Sequence, residues 1–231
     1  MRWLARWLWR ALLLALAALA AIQLWYFGRI AYWKYENPDD TAFMRQEAIR
    51  MQRKNPRATL RHQWVPYERI SPQLKRAVIT AEDARFTEHE GVDWDAVQKA
   101  YEENLRRGRA AKGGSTISQQ LAKNLFLSSE KSYLRKGQEL LLTLMIEMLW
   151  DKRRILEVYL NVVEWGEGIF GAEAAARYYY GVPAATLGAE QAARLAVYLP
   201  NPKRYGRLRA GPYLDARTGV ILRYMFAAQI P

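Results

Sequence analysis

The chain contains no cysteine and only two histidines. The first absence excludes disulfides, thiolate zinc sites and thiol nucleophiles together, and it removes any pairing risk in an oxidising compartment. The second leaves His62 and His89 far apart, with no H-x-x-x-H pair, so a histidine-based metal site has no ligand spacing behind it. Strand-like alternation is scarce, and no internal repeat or low-complexity tract is visible beyond an Ala/Leu-rich N-terminal run. Acidic charge is in deficit, with 23 Asp+Glu against 35 Lys+Arg, for a net charge of +12. Such an excess suits an anionic partner: nucleic acid, acidic lipid or a phosphorylated substrate. No sequence signature of a nucleic-acid module accompanies it.

What is present starts with a membrane signal. Arg2, Arg6 and Arg10 precede a run from Ala11 to Gly28 whose only strongly polar residue is Gln23. As a helix at roughly 1.5 Å per residue it spans about 27 Å, close to a hydrocarbon core of about 30 Å. Trp3, Trp7 and Trp9 flank one end, and Trp25, Tyr26, Tyr32 and Trp33 the other, as interfacial aromatic belts do. The early arginines place the N-terminus in the cytoplasm and everything after Arg29 outside. A cleaved signal peptide competes, because Ala17 to Ala21 offers small-residue sites; the distal aromatics and the length of the run favour an uncleaved single-pass anchor. The expected organisation is therefore a stub and anchor over 1–30, a polar juxtamembrane connector over 31–63 with one helix from Thr41 to Arg53, and a main domain over 64–231.

The main domain reads as mainly α. Ser71-Pro72 is an N-cap and N1 pair, with Leu74, Ala77, Val78 and Ala81 following at helical spacing. Further helices are expected over 93–107, from a capping box at Thr116–Gln119 to Leu125, over 135–150, from Asp151 to Val163, over 171–180 and over 187–199, ending at Pro200-Asn201-Pro202.

Three stretches in this region carry chemistry. In "AEDARFTEHEG" (81–91), Glu82 and Asp83 lie one turn beyond Val78 and Ile79, on the side that carries apolar residues. Desolvation there raises a carboxyl pKa toward what a general acid or base needs, although the stretch alone slightly favours a pair of acids at a helix end, paired with Arg85 or nearby lysines. In "KGGSTISQQLAKN" (112–124), two glycines, two hydroxyls, a helix start and two lysines suit an anion. It is not a Walker A loop, since no lysine follows the second glycine; an ordinary capped loop is the alternative. In "KSYLRKGQELLLTLMIEMLW" (131–150), Glu139 follows Arg135 and Lys136 by four and three residues at the head of an apolar run, either as a simple ion pair or as a buried acid with two cations. Glu147 in the same run is unexplained. Ser128–Lys131 fits S-x-x-K, but without its partner motifs.

Taken in order, these stretches resemble the peptidoglycan glycosyltransferases of glycosyltransferase family 51, and specifically the monofunctional biosynthetic transglycosylases. "EDARFTEHEG", "GGSTISQQLAKN", "RKGQE", "KRRILEVYLN" and "LGAEQAARLA" match the five family motifs between about Trp64 and Tyr205. The resemblance implies a lysozyme-like helical domain that polymerises lipid II into β-1,4-linked glycan with release of undecaprenyl pyrophosphate, outside the cytoplasmic (inner) membrane. It implies Glu82 as general base on the acceptor 4-hydroxyl, and Glu139 as an aid to pyrophosphate departure, directly or by holding a metal or basic side chains. Lys123, Arg135, Lys136 and, less directly, Lys131 would neutralise the developing charge. Asp83, Phe86, Ser115, Thr116, Gln119, Gln120 and Asn124 would line or support the substrate cleft. No cofactor is obligatory; Mg²⁺ or Mn²⁺ at Glu139 is the one metal expectation. The partners implied are lipid II, the growing strand, membrane lipids and cell-wall synthesis or division proteins. A glycan-cleaving lysozyme-like enzyme and a non-catalytic membrane scaffold are the rival readings.

Overall fold

The computed structural model describes residues 2–107, 114–130 and 132–231. Its chain divides into two units, Met1–Asn37 and Pro38–Pro231. The first unit is helix α1 (Arg2–Trp33). Within it, Ala5–Trp33 is long and apolar enough to cross a membrane, as a single-pass anchor requires. The helix continues on both sides of the apolar run read from the sequence, and Arg29 stacks over Trp33 at 4.3 Å.

The second unit holds α2 (Ala42–Lys54), α3 (Pro72–Glu82), α4 (Trp94–Arg107), α5 (Ile117–Phe126), α6 (Tyr133–Leu149) and α7 (Lys152–Val162). After these come α8 (Ala172–Tyr180), α9 (Ala189–Tyr198), α10 (Pro202–Leu208) and α11 (Pro212–Tyr224). The mainly α class expected from the sequence is the class observed. Local signals set most helix starts. The hydroxyls of Thr41, Ser71, Thr116 and Ser132 and the carboxylate of Asp151 each accept a backbone N–H of the first turn they cap.

Two features depart from the sequence reading. The expected end at Pro200–Pro202 also starts a helix: Asn201 caps α10 and Pro202 occupies its first turn, where the missing N–H costs nothing. α11 likewise starts at a proline, Pro212. There is also a small sheet of order β1 (Arg61–His62), β3 (Ile169–Phe170) and β2 (Glu164–Gly166). β1 pairs parallel to β3, with Arg61 opposite Ile169, and β2 pairs antiparallel to it. Strands of two or three residues are too short to show a period of two, so no alternation could announce them.

The core lies where α7 packs under α5, and where α3 packs along α9. Ile155, Leu156, Tyr159 and Leu160 are fully buried on α7, as are Leu121 on α5, Leu142 and Ile146 on α6, and Leu74 and Val78 on α3. Each such side chain contributes about 1.5–3 kcal/mol. Ala192, Ala193 and Ala196, also fully buried, give α9 a smooth face on which α3 can lie close. Asn161, the last residue of "KRRILEVYLN", is buried at the end of α7 and exchanges two 2.9 Å bonds with the backbone of Val65. It fixes the chain ahead of α3.

Candidate active site

Glu82 ends α3, one turn beyond buried Val78. Its Oε2 accepts a 2.7 Å bond from the Gln120 amide on α5. The same amide's oxygen accepts from the Tyr159 hydroxyl on α7 at 3.0 Å. Three helices thus hold one carboxylate oxygen from a fixed direction. Burial pushes the Glu82 carboxyl up, against the Gln120 bond and the charges of Arg217 and Lys123, while Asp83 adds to the rise.

Lys123 follows on α5, one turn after Gln119 and Gln120. Burial pulls its ammonium down from the ordinary lysine value; Glu139 and Glu82 act in the opposite sense, and Arg135 and Lys136 reinforce the fall. Lys123 therefore sits within electrostatic reach of both carboxylates. Among the described residues nothing accepts a hydrogen bond from it, so its donors are available to a ligand.

Glu139 is buried on α6, where Arg135 reaches it at 3.1 Å and Lys136 at 2.5 Å. The i,i+3 and i,i+4 spacings predicted this trio, and the structure shows the acid to be buried rather than a surface ion pair. Both its oxygens have cationic partners, so a Mg²⁺ or Mn²⁺ ion at Glu139 would compete with Arg135 and Lys136. Among the described residues no group of three His, Asp or Glu side chains is placed to hold a metal.

The other expected site residues divide. Asp83 is buried and its carboxylate is used internally: Oδ1 lies 2.9 Å from His89 Nε2, and Oδ2 accepts the Ile117 N–H at 3.0 Å. His89 Nδ1 accepts the Gly91 N–H at 3.1 Å, which makes Nε2 the nitrogen that donates to Asp83. Phe86 has no exposed surface, and its ring lies beneath the Lys152 ammonium at 4.8 Å. Thr116 donates to the Gly91 carbonyl at 2.6 Å and forms a capping box with Gln119. Asn124 is buried and Ser115 is exposed. Lys131, like Lys112 and the rest of residues 108–113, lies outside the described residues. Glu82, Gln120, Lys123, Arg135, Lys136 and Glu139 are thus brought into one electrostatic network. Asp83, Phe86, Thr116 and Gln119 form the frame behind it.

Gly91 shows how tight that frame is. Its φ is +90°, and a Cβ there would meet Thr143 Cγ2 at 2.8 Å and Glu147 Cγ at 3.0 Å. Gly91→Ala is expected to destabilise the catalytic unit by about 1–3 kcal/mol, read as a lowered unfolding midpoint in detergent. Glu147 itself accepts from Ser118 at 2.5 Å and from Lys152 at 2.8 Å, which accounts for an acid the sequence left unexplained. Sequence reasoning missed Tyr159 and Arg217. Tyr159 reads as one more apolar residue of α7, and Arg217 lies on α11, beyond the five motifs.

Comparison with known proteins decides what this network belongs to. A family profile described as "Transglycosylase" matches residues 47–226. The chain belongs to the transglycosylase family. A relative from Azoarcus sp. (strain BH72) is 61% identical over all of both chains, and one from Janthinobacterium sp. (strain Marseille) is 61% identical over 91% of each. A third, from Herminiimonas arsenicoxydans, is 56% identical over the full length of both. Each is named biosynthetic peptidoglycan transglycosylase. The transglycosylase is thus an enzyme of glycosyl transfer, as its five motifs implied, and its helical unit is of the lysozyme-like class.

Proposed function

We propose that this transglycosylase polymerises lipid II into β-1,4-linked glycan strands and releases undecaprenyl pyrophosphate. The observation that carries the reading is the half-buried Lys123, with no hydrogen-bond acceptor among the described residues and in the field of two carboxylates of different character. Glu82, pushed up by burial and held by Gln120, is the base. It removes the proton of the acceptor 4-hydroxyl as that oxygen attacks the anomeric carbon of the donor. The anomeric C–O bond to pyrophosphate breaks from the opposite face, so an α-linked donor becomes a β-1,4 product. The negative charge that builds on the leaving pyrophosphate falls to Lys123, Arg135 and Lys136, held in place by Glu139. A glycosidic leaving group would need no such cation cluster, which separates synthesis from cleavage of finished glycan. Side-chain cations supply this charge in the proposal, without a metal-dependent step. Asp83 and Phe86 act by fixing the end of α3 and the start of α5, not by touching sugar.

The substrate's prenyl tail requires the site to lie near a bilayer. α1 would supply the anchor in the cytoplasmic (inner) membrane, with Arg2, Arg6 and Arg10 on the cytoplasmic side and the catalytic unit outside. On that unit Trp94, Tyr101 and Leu105 of α4 and Tyr133, Leu134 and Met148 of α6 are exposed, an apolar surface suited to membrane lipid. Division or other cell-wall synthesis proteins would reach the enzyme on the same side.

The pH profile tests the acid–base assignment. Glu82 must be deprotonated and Lys123 protonated. Activity is therefore expected to rise through a Glu82 pKa above the ordinary carboxylate range and to fall through a Lys123 pKa below the ordinary lysine range. The check is kcat/KM for lipid II across pH, with finished glycan offered in parallel. Cleavage of that glycan without chain growth contradicts the proposal.

A further inference from the structure

We infer that Phe43, on α2, is a positioning residue for Lys123, holding its ammonium toward the leaving pyrophosphate without consuming its donors. The inference rests on the role proposed above for Lys123. The ammonium lies 5.6 Å from the centroid of the half-buried Phe43 ring. An aromatic face attracts a cation through its quadrupole and takes up none of the three N–H bonds. A carboxylate in the same place would pair with the lysine and compete with phosphate oxygens. An aromatic ring is therefore a partner that stabilises this charge and still leaves it free to bind.

The placement of Phe43 is enforced on both sides. Thr41 caps α2 by accepting the Met44 N–H at 3.1 Å. One turn later Gln46 clamps the end of α5: its amide donates to the Leu127 carbonyl at 3.3 Å and accepts from the Ser129 N–H at 3.1 Å. Glu47 then ties α2 to α10 by accepting from Lys203 at 2.5 Å, while Arg50 holds its other side. Phe43 and Gln46 both precede residue 47, where the family match begins. The connector helix, read from the sequence as part of a polar juxtamembrane segment, is thus built onto the donor side of the site.

The charged groups facing Lys123 are Glu139, Arg135 and Lys136 from α6 and Glu82 from α3, with Tyr159 of α7 behind Glu82. Arg45 of α2 is engaged by Asp40 at 2.7 Å. Removing the ring while leaving these groups in place isolates its effect.

The test follows the pH dependence of Lys123 acetylation by acetic anhydride, read by peptide mass spectrometry on the full-length protein in detergent. Phe43→Leu is expected to lower the Lys123 midpoint by roughly half to one pH unit, and Phe43→Trp to hold it at or above the wild-type value. Phe43→Met repeats the first comparison, so that a folding defect in one variant does not decide the matter. In lipid II polymerisation the leucine variant is expected to be roughly three- to tenfold slower, with tryptophan restoring the rate. Coincident midpoints for wild type, leucine and methionine overturn the inference, as does a tryptophan variant that moves with leucine. A wild type unable to extend lipid II overturns the function proposed above, whereas the acetylation midpoints decide this inference without substrate.

Discussion

Glu82→Gln is expected to slow lipid II polymerisation by about 10²–10⁴-fold while leaving the unfolding midpoint close to wild type. The glutamine keeps the volume of the side chain and can still accept the 2.7 Å bond from Gln120, so the frame of α3, α5 and α7 has no reason to move. What it loses is the capacity to take a proton from the acceptor hydroxyl. The residual rate should no longer follow the acidic limb of the pH profile, because the group that titrates there is gone. Single-turnover assays with labelled lipid II separate this loss from weaker binding. A loss confined to KM would place Glu82 in substrate binding rather than in proton transfer.

Lys123→Met carries the second large effect, about 10²–10³-fold in kcat, the scale seen when one preorganised group is removed from a site of charge development. Methionine fills much of the space and suits a half-buried position, so the defect is electrostatic. A second consequence is directional. Lys123 lowers the Glu82 pKa, so its removal must raise that pKa further and move the acidic limb of the profile to higher pH. Lys136→Met serves as the comparison. Lys136 is half exposed, so solvent screens it more and its loss is expected to cost less. Equal losses at the two lysines would show that burial confers no special weight on Lys123.

Much of this site could be read from spacing within single helices. Val78 and Ile79 one turn before Glu82 and Asp83 made burial one of two open readings, and in the fold Asp83 is buried and Glu82 half-buried. The Arg135–Lys136–Glu139 trio follows from i,i+3 and i,i+4 geometry alone. The capping box at Thr116 was visible for the same reason, since each of its partners lies three residues away. What was hidden depends on residues far apart in the chain. Tyr159 reaches Glu82 only through Gln120, across 39 positions, and no pattern in α7 distinguishes its hydroxyl from its apolar neighbours. Asp83 reads as a supporting acid, but its partners, the Ile117 N–H and His89, come together only in the fold. Phe86 sits in a motif that suggested contact with substrate, whereas folding turns its ring wholly inward. α2 reads as a weakly amphipathic helix marked by Phe43, Ala48 and Met51, but nothing in its spacing names α5 as its partner; the clamps at Gln46 and Glu47 come from residues far along the chain.

The central claim is that Glu82 and the Lys123–Arg135–Lys136 cluster act together to join sugars while expelling pyrophosphate. Its most direct measurement is the stoichiometry of the two products when the detergent-solubilised full-length enzyme meets lipid II labelled in both sugar and pyrophosphate. One undecaprenyl pyrophosphate released for each β-1,4 bond formed, with both products lost together in Glu82→Gln, is the result expected. Pyrophosphate release without chain growth, or chain growth that persists in Glu82→Gln, would contradict it.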